Sequence, residues 1–536
     1  MKKQSIAKGF AVLTIASMFV KILSVLYIPF LRGILGDEGY GIYGAAYQVY
    51  TFIYVIANSG IPVAISKTIS ELTYAGNYKD ALRAFKIARS YLIGIGAVLA
   101  ICMFVFAGPI SRILHFEKSY LAILALSPTI LITSISSAYR GYFQGRSNMT
   151  NTAVSQIIEQ IANVIFTLLF AMLLMRYSLE AACAGGTIGT SMGALASMIF
   201  LGFVFYKKKK FIIPKDEVKK DVKGYTYKQL AKRIINYSIP ITIAVGATYA
   251  GNLVDMANTK IRLMTGGYIE AEATILYGFL TKYQQLMNVP ISIVAALAAA
   301  VLPSLSGSIA LNDKQQFQNK LRYSLRLCLF VVVPSAVGFS ILSEQIYSFL
   351  KFGDGFELMK YGAVVLVFMS LVQIQTTILQ GAGRLYIATR NVVIGIIAKI
   401  LINYFLISIP DINIYGAIIG SVVGFGIALL LNTISIKKHL NVNIYLLKNA
   451  LKPLVSSIIM GGMVFIFYKI SYFLFNLFIG DYFSNVIAVI ISIIVGVVAY
   501  VFSMIIFKGI TKKDLIEMPD RLKKFIPSKV YNRISD

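Results

Sequence analysis

The chain has 536 residues, 57% of them hydrophobic and only 14% charged, with a mean hydropathy of +0.74. Soluble domains carry about 25% charged residues, so a water-soluble globular protein is excluded and an integral membrane protein is indicated. The 51 Lys and Arg exceed the 23 Asp and Glu by 28 charges, which in a soluble chain would point to nucleic acid. Here the basic residues sit in short loops between apolar spans, where membrane topology and attraction to anionic lipid account for them.

Apolar stretches of helix length fall near residues 9–35, 41–57, 85–107, 119–139, 153–175, 181–206, 237–262, 273–303, 323–344, 361–381, 391–409, 415–436, 453–477 and 485–507. At roughly 20 residues per crossing they predict an all-α polytopic membrane protein with fourteen transmembrane helices. The first stretch is long and no small-residue cleavage site follows it, so it is expected to be a retained span.

Loop charge sets the orientation. With Lys2, Lys3 and Lys8 inside, the even-numbered connections hold Lys67, Lys79, Arg83, Arg140, Arg146, Lys207 to Lys210, Lys320, Arg322, Arg384, Arg390, Lys437 and Lys438. The odd-numbered ones hold Asp37, Glu38, Glu270, Glu272, Asp354, Glu357, Asp411 and Asp481. The excess of Lys and Arg on one side predicts that both termini are cytoplasmic, in a cytoplasmic (plasma) membrane.

The longest polar break divides the chain into an N-lobe over 1–206, a basic linker over 207–233 and a C-lobe over 234–440. Residues 441–507 append spans thirteen and fourteen, and 508–536 form a basic tail. The two lobes read as a repeat. Asn151, Glu159 and Asn163 align with Asn391, Lys399 and Asn403 at one constant offset of 240 positions. Gln144-Gly145-Arg146 is echoed by Gln380 to Arg384, Tyr43-Gly44 by Tyr277-Gly278, and Gly189-x-x-x-Gly193 by Gly420-x-x-x-Gly424. Six spans per lobe is an even number, so the repeat is parallel, a pseudo-twofold about the membrane normal.

Charges inside the spans are the candidate functional residues, because a charge at mid-bilayer is costly and persists only where it faces protein or water. Lys21 lies 13 residues from Lys8 and 11 from Arg32, about 16 Å from either flank, beyond the reach of snorkelling. It is either a cavity-lining cation or part of an internal ion pair. Lys282 and Lys399 are similar but shallower. Glu159 is either a counter-ion to one of these lysines or a protonatable group. Asn252, Asp255 and Asn258 recur every three residues on one helical face. With Asn403 they offer oxygen ligands to a cation, unless Lys399 itself stands in for that cation. Na+ and H+ are the candidate coupling ions, and no other cofactor is expected.

Other patterns carry less. Gly39 to Gly44 matches GxGxxG but follows no strand, so it is expected to be a flexible external turn. Pro62 to Lys79 is amphipathic, with Lys67 and Glu71 spaced i,i+4, and is expected to lie at the interface. Cys102, Cys183 and Cys328 lack disulfide or metal spacing. His115 and His439 are far apart, and there is no nucleophile or metal constellation, so an enzyme is not expected. No Walker A sequence is present, which argues against an ATP-driven pump. Tyr and Phe total 67 and read as core or headgroup-belt residues.

Five segments carry a resemblance: Ile28-Pro29-Phe30, Gly60 to Lys67, Arg140 to Gly145, Thr152 to Gln160 and Leu302 to Ser306. With these the chain resembles the polysaccharide-flippase branch of the multidrug/oligosaccharidyl-lipid/polysaccharide (MOP) exporter superfamily. Within it, the chain is most similar to the stage V sporulation protein B group of Gram-positive bacteria, related to MurJ-type lipid II flippases. The resemblance implies two lobes around a cationic cavity, alternating access, and outward movement of an undecaprenyl-diphosphate-linked saccharide. It further implies a lipid-tail groove at spans thirteen and fourteen, and a cavity built from Lys21, Asn58, Glu159, Lys282, Gln285 and Lys399. Such a transporter would act as a monomer beside cell-wall synthesis proteins. The chain departs from Gram-negative MurJ proteins by reading Tyr27-Ile28 in place of an Arg-Asp pair. It also has Gln285 where they place an arginine five residues before a proline. The competing expectations are a cation-coupled drug or metabolite antiporter on the same fold, and a non-transporting scaffold for envelope assembly.

Overall fold

The computed structural model describes residues 6–146, 148–207, 224–310 and 314–509. Most of the expected linker and all but the first residues of the expected tail, 208–223 and 510–536, lie outside the described residues. Every long element described is an α-helix, as a lipid-embedded backbone requires when no water is there to satisfy its N–H and C=O groups.

The helices run α1 (Ile6–Leu26), α2 (Ile28–Asn58), α3 (Gly60–Tyr74), α4 (Tyr78–Val105), α5 (Ala107–Ile113), α6 (Tyr120–Gly145), α7 (Met149–Leu174) and α8 (Leu179–Lys207). Then follow α9 (Tyr227–Thr265), α10 (Glu270–Ala310), α11 (Lys314–Ile341), α12 (Ser343–Phe349), α13 (Phe356–Gly381), α14 (Leu385–Leu406), α15 (Gly416–Leu440), α16 (Leu446–Ile479) and α17 (Asp481–Ile506). Local sequence sets many ends. Pro29 opens α2, where a missing N–H costs nothing. Asn77 caps α4 by accepting from Asp80 N. Thr226 and Gln229 form a reciprocal capping box at α9.

Eleven helical stretches among the described residues are long and apolar enough to cross a bilayer. The expected spans one, seven and eight correspond to α1, α9 and α10, which fall outside that set. α1 is apolar along Ile15–Leu26, and the expected span one continues past it into the start of α2. The other two helices have 39 and 41 residues and carry polar side chains such as Asn252, Asp255, Asn258, Lys260, Lys282 and Gln285.

Contacts divide the chain into two units. The first comprises the described residues up to Ser292 together with Ile396–Gly420. One core of this unit joins α3, α4, α6, α8 and the start of α9, with Phe85, Ala88, Leu92, Leu201, Leu230 and Ile234 fully buried. Phe85 stacks between Tyr142 and Phe205, at 4.8 and 5.0 Å between ring centroids. Beside this core, α7 and α8 press backbone to backbone. A Cβ on Gly189 would strike the backbone of Thr167, and one on Gly193 the carbonyl of Glu159, so only glycine allows the approach.

The second unit comprises Ile293–Gly395 with Ser421 onward. It packs α11, α12, α16 and α17 around Leu342, Met460, Val464, Tyr500 and Met504. Tyr500 donates to the carbonyl of Phe330 at 3.0 Å, and Asn485 to that of Gln345 at 3.2 Å. Asn391, at zero exposure, donates to Asn432 (3.0 Å) and Ser435 (2.9 Å).

Several local expectations are corrected. Gly39 to Gly44 is not a flexible turn but buried helix within α2. The helix kinks earlier, at Gly36, whose φ of +69° suits glycine. The glycines serve packing: a methyl on Gly41 would collide with the Thr274 carbonyl, and one on Gly44 would lie 2.8 Å from Thr281 Oγ1. The amphipathic segment after Gly60 is helical, with its apolar face packed against protein. It is α3, whose Ala64, Ile65, Ile69 and Leu72 enter the first unit's core. Lys67 and Glu71 do not pair with each other: Glu71 takes Arg233 at 2.5 Å, and Lys67 sits 3.9 Å over the Tyr237 ring.

Candidate functional site

The charges inside the helices of the first unit form three clusters. The first lies where α6, α7 and α8 meet. Because α6 continues to Gly145, Arg140 belongs to the helix and points its guanidinium at the neighbouring helices. Its Nε donates to Ser155 Oγ at 3.1 Å. One terminal nitrogen donates to the Glu159 carboxylate and to Ser197 Oγ at 2.9 Å. The partner of Glu159 is therefore Arg140, not one of the lysines. The arginine fork suits such a multi-point contact, which an ammonium cannot reproduce.

The second cluster surrounds Asp37 on α2. Its carboxylate accepts from Arg32 Nε and Nη2 at 2.8 and 2.7 Å, and from Lys282 Nζ at 2.9 Å. Lys282 has zero exposure, and its ammonium also lies 4.3 Å from the Phe279 ring centroid. The next residue, Glu38, pairs with Lys118 at 2.7 Å. Lys260, 1% exposed, pairs with Glu270 at 2.9 Å and covers the Phe116 ring at 4.3 Å. Two buried lysines of α9 and α10 are thus each neutralised by a carboxylate, as burial of an ammonium requires. Gln285 follows Lys282 by three residues on α10 and is half-buried.

The third cluster joins α9 to α14. Asp255 Oδ2 accepts from Lys399 Nζ at 2.8 Å, and Oδ1 accepts from Asn403 Nδ2. Asn258 Nδ2 donates to the Ile400 carbonyl at 3.1 Å. Asn252, one turn earlier, is exposed and takes no part. Each carboxylate oxygen of Asp255 thus already accepts from a donor within the cluster. No group of three His, Cys, Asp or Glu placed to hold a metal occurs among the described residues.

Two expected residues stand apart. Lys21 is exposed on α1, and no acidic partner for it is found among the described residues. Asn58, at the α2–α3 junction, is 7% exposed, and neither atom of its amide has a hydrogen-bond partner among the described residues. Sequence reasoning missed a feature of α2: Tyr40, Tyr43, Tyr47, Tyr50 and Tyr54 form a continuous ladder, with successive centroids 6.1, 4.7, 5.9 and 5.8 Å apart. Their spacing by three and four was the available signal. Tyr47 reaches Thr190, and Tyr43 lies 3.2 Å from the Tyr27 hydroxyl. Arg140, Arg32 and Asp37 were also missed as site residues, having been assigned to loops and flanks.

The described residues, helical throughout their long elements, with many apolar spans and charges held in specific pairs, define a multi-span membrane protein. Residues 6–308, more than half of the chain, match the polysaccharide biosynthesis protein family, and the chain belongs to that family. It is 26% identical over 474 residues to the lipid II flippase MurJ of Bacillus subtilis, covering 85% of this chain and 87% of the relative. It is 27% identical over 460 residues to stage V sporulation protein B of the same organism, covering 84% and 87%. Among solved structures, its fold resembles lipid II flippase MurJ in an inward closed conformation, with TM-score 0.66, 16% identity, and 94% and 99% coverage. It also resembles an inward-facing multidrug resistance MATE transporter of the MOP superfamily, with TM-score 0.65, 14% identity, and 78% and 94% coverage. Among these similar proteins, one relative is named a lipid II flippase and one solved structure a multidrug transporter, and the chain shares the fold of the latter.

Proposed function

We propose that this protein is a flippase that moves an undecaprenyl-diphosphate-linked saccharide, lipid II or a related envelope precursor, outward across the plasma membrane by alternating access. The observation that carries this reading is the state of the lysines. Lys282 and Lys399 are bound to carboxylates, whereas Lys21 has no acidic partner among the described residues. A cation left without a counter-charge inside a spanning helix costs about 3 kcal/mol or more, and an anionic headgroup supplies the missing charge. A cationic drug would repel it.

The further features of the reading follow from it. The chain crosses the membrane fourteen times with both termini inside, in two six-helix lobes followed by two helices that hold the lipid tail. Asn58, whose buried amide lacks partners among the described residues, offers donor and acceptor to the saccharide. The fold likeness to a multidrug transporter keeps the cation-coupled antiporter as the competing reading. Binding separates the two. Purified protein is titrated with undecaprenyl diphosphate and, separately, with a lipophilic cationic drug. The flippase reading expects saturable binding of the diphosphate lipid that weakens at least tenfold in Lys21→Ala. Binding of the cationic drug alone would overturn it.

A further inference from the structure

The Asp255 cluster raises the question of where a coupling ion would sit. Four features of α9 and α14 hold its oxygens in place. Gly251 of α9 lets Ile396 pack close. Asn258 ties to the Ile400 carbonyl, and Arg262 Nε ties to the Tyr404 carbonyl at 2.8 Å. Thr259 Oγ1 donates to the Asp255 carbonyl at 2.7 Å, closing that helical turn. Within this frame the carboxylate of Asp255 and the side chain of Asn403 converge.

Asn403 is the telling residue. Its Nδ2 donates to Asp255, yet its Oδ1 has no hydrogen-bond partner, although the residue has zero exposure. Gly420 packs directly on that oxygen, and any larger residue there would displace it. A buried amide oxygen left without a donor calls for an explanation. A carboxylate beside an amide oxygen is donor chemistry of hard cations, and its single negative charge matches one positive charge. Lys399 brings that charge on its own side chain, 2.8 Å from the carboxylate.

We propose that the Lys399 ammonium is the built-in cation of an oxygen-lined alkali-ion site formed by Asp255 and Asn403, so that this protein binds no alkali ion there. Lys399 carries the charge that a free monovalent ion would otherwise bring. Making and breaking the Lys399–Asp255 pair replaces binding and release of that ion. The inference concerns the coupling of the transport proposed above, but its test needs no transport, so either can fail alone.

The test is thermal unfolding of the purified protein in detergent, at equal ionic strength of sodium, lithium, potassium or choline chloride. Wild type is expected to melt at the same temperature in all four. Lys399→Ala opens the site, so its melting temperature is expected to rise with sodium concentration and not with choline, as linkage to a bound ion requires. Asp255→Asn combined with Lys399→Ala loses both charges and is expected to show no ion dependence. Should Lys399→Ala not fold, Lys399→Met keeps the packed stem, removes only the ammonium and carries the same readout. A sodium-dependent melting temperature in wild type would overturn the proposal. So would Lys399→Ala or Lys399→Met that folds and responds equally to sodium and choline.

Discussion

Replacing Glu159 with alanine removes the only carboxylate that Arg140 contacts among the described residues. Ser155 and Ser197 still accept from the guanidinium at 3.1 and 2.9 Å, but neither neutralises it. Removing one partner of a fully buried pair costs about 3–5 kcal/mol. Here the two side chains are 16% and 30% exposed, so solvent recovers part of that and about 2–3 kcal/mol is expected. The assay is SDS-titrated unfolding in mixed micelles, run as a double-mutant cycle with Arg140→Ala. A coupling of about 1–2 kcal/mol is expected, and the charge swap Arg140→Glu with Glu159→Arg should restore part of the loss. Additivity within about 0.5 kcal/mol would refute the pair. So would rescue by Lys21→Glu with Glu159→Lys, which only a Lys21–Glu159 pair explains.

Two further predictions concern α2. Asp37→Asn removes the carboxylate that Lys282 contacts at zero exposure, whereas Lys282→Met leaves Asp37 paired with Arg32. The first should therefore destabilise by about 3 kcal/mol or more and the second by less, compared in the same unfolding assay. Gly41→Ala drives a methyl into the Thr274 carbonyl and should cost about 1–3 kcal/mol. Gly33→Ala, where no atom lies within 4 Å of the added Cβ, should be neutral or slightly stabilising, and equal losses at both positions would contradict the packing described for α2.

Composition and apolar periodicity announced a helical membrane protein because every spanning segment must satisfy its backbone internally, which leaves long apolar runs in the sequence. The same signal was weakest for α9 and α10, whose polar residues face partners that periodicity cannot show. Lys282 finds Asp37 across 245 positions of sequence. Nothing local distinguishes a loop aspartate from one that neutralises a distant lysine. Gly39 to Gly44 looked like a turn because glycine serves turns and close helix contacts equally well. Arg140 looked like a loop residue because the apolar run ends at Tyr139, while the helix itself persists to Gly145. The α9–α14 cluster was more legible, since Asp255 and Asn403 were flagged by their polarity within apolar runs. That Lys399 pairs with Asp255 could be read only from the distance of 2.8 Å.

The central claim is that an anionic lipid-linked saccharide crosses the membrane through this protein and meets Lys21 on the way. The most direct measurement is headgroup translocation of lipid II in proteoliposomes carrying wild type, Lys21→Ala or Gly33→Ala. The account predicts translocation by wild type and Gly33→Ala, and a rate at least tenfold lower for Lys21→Ala, a loss of about 1.4 kcal/mol in barrier stabilisation. Lys21→Ala working at the wild-type rate would contradict the role given to that lysine. Wild-type vesicles that export a cationic drug but move no lipid-linked saccharide would contradict the account as a whole.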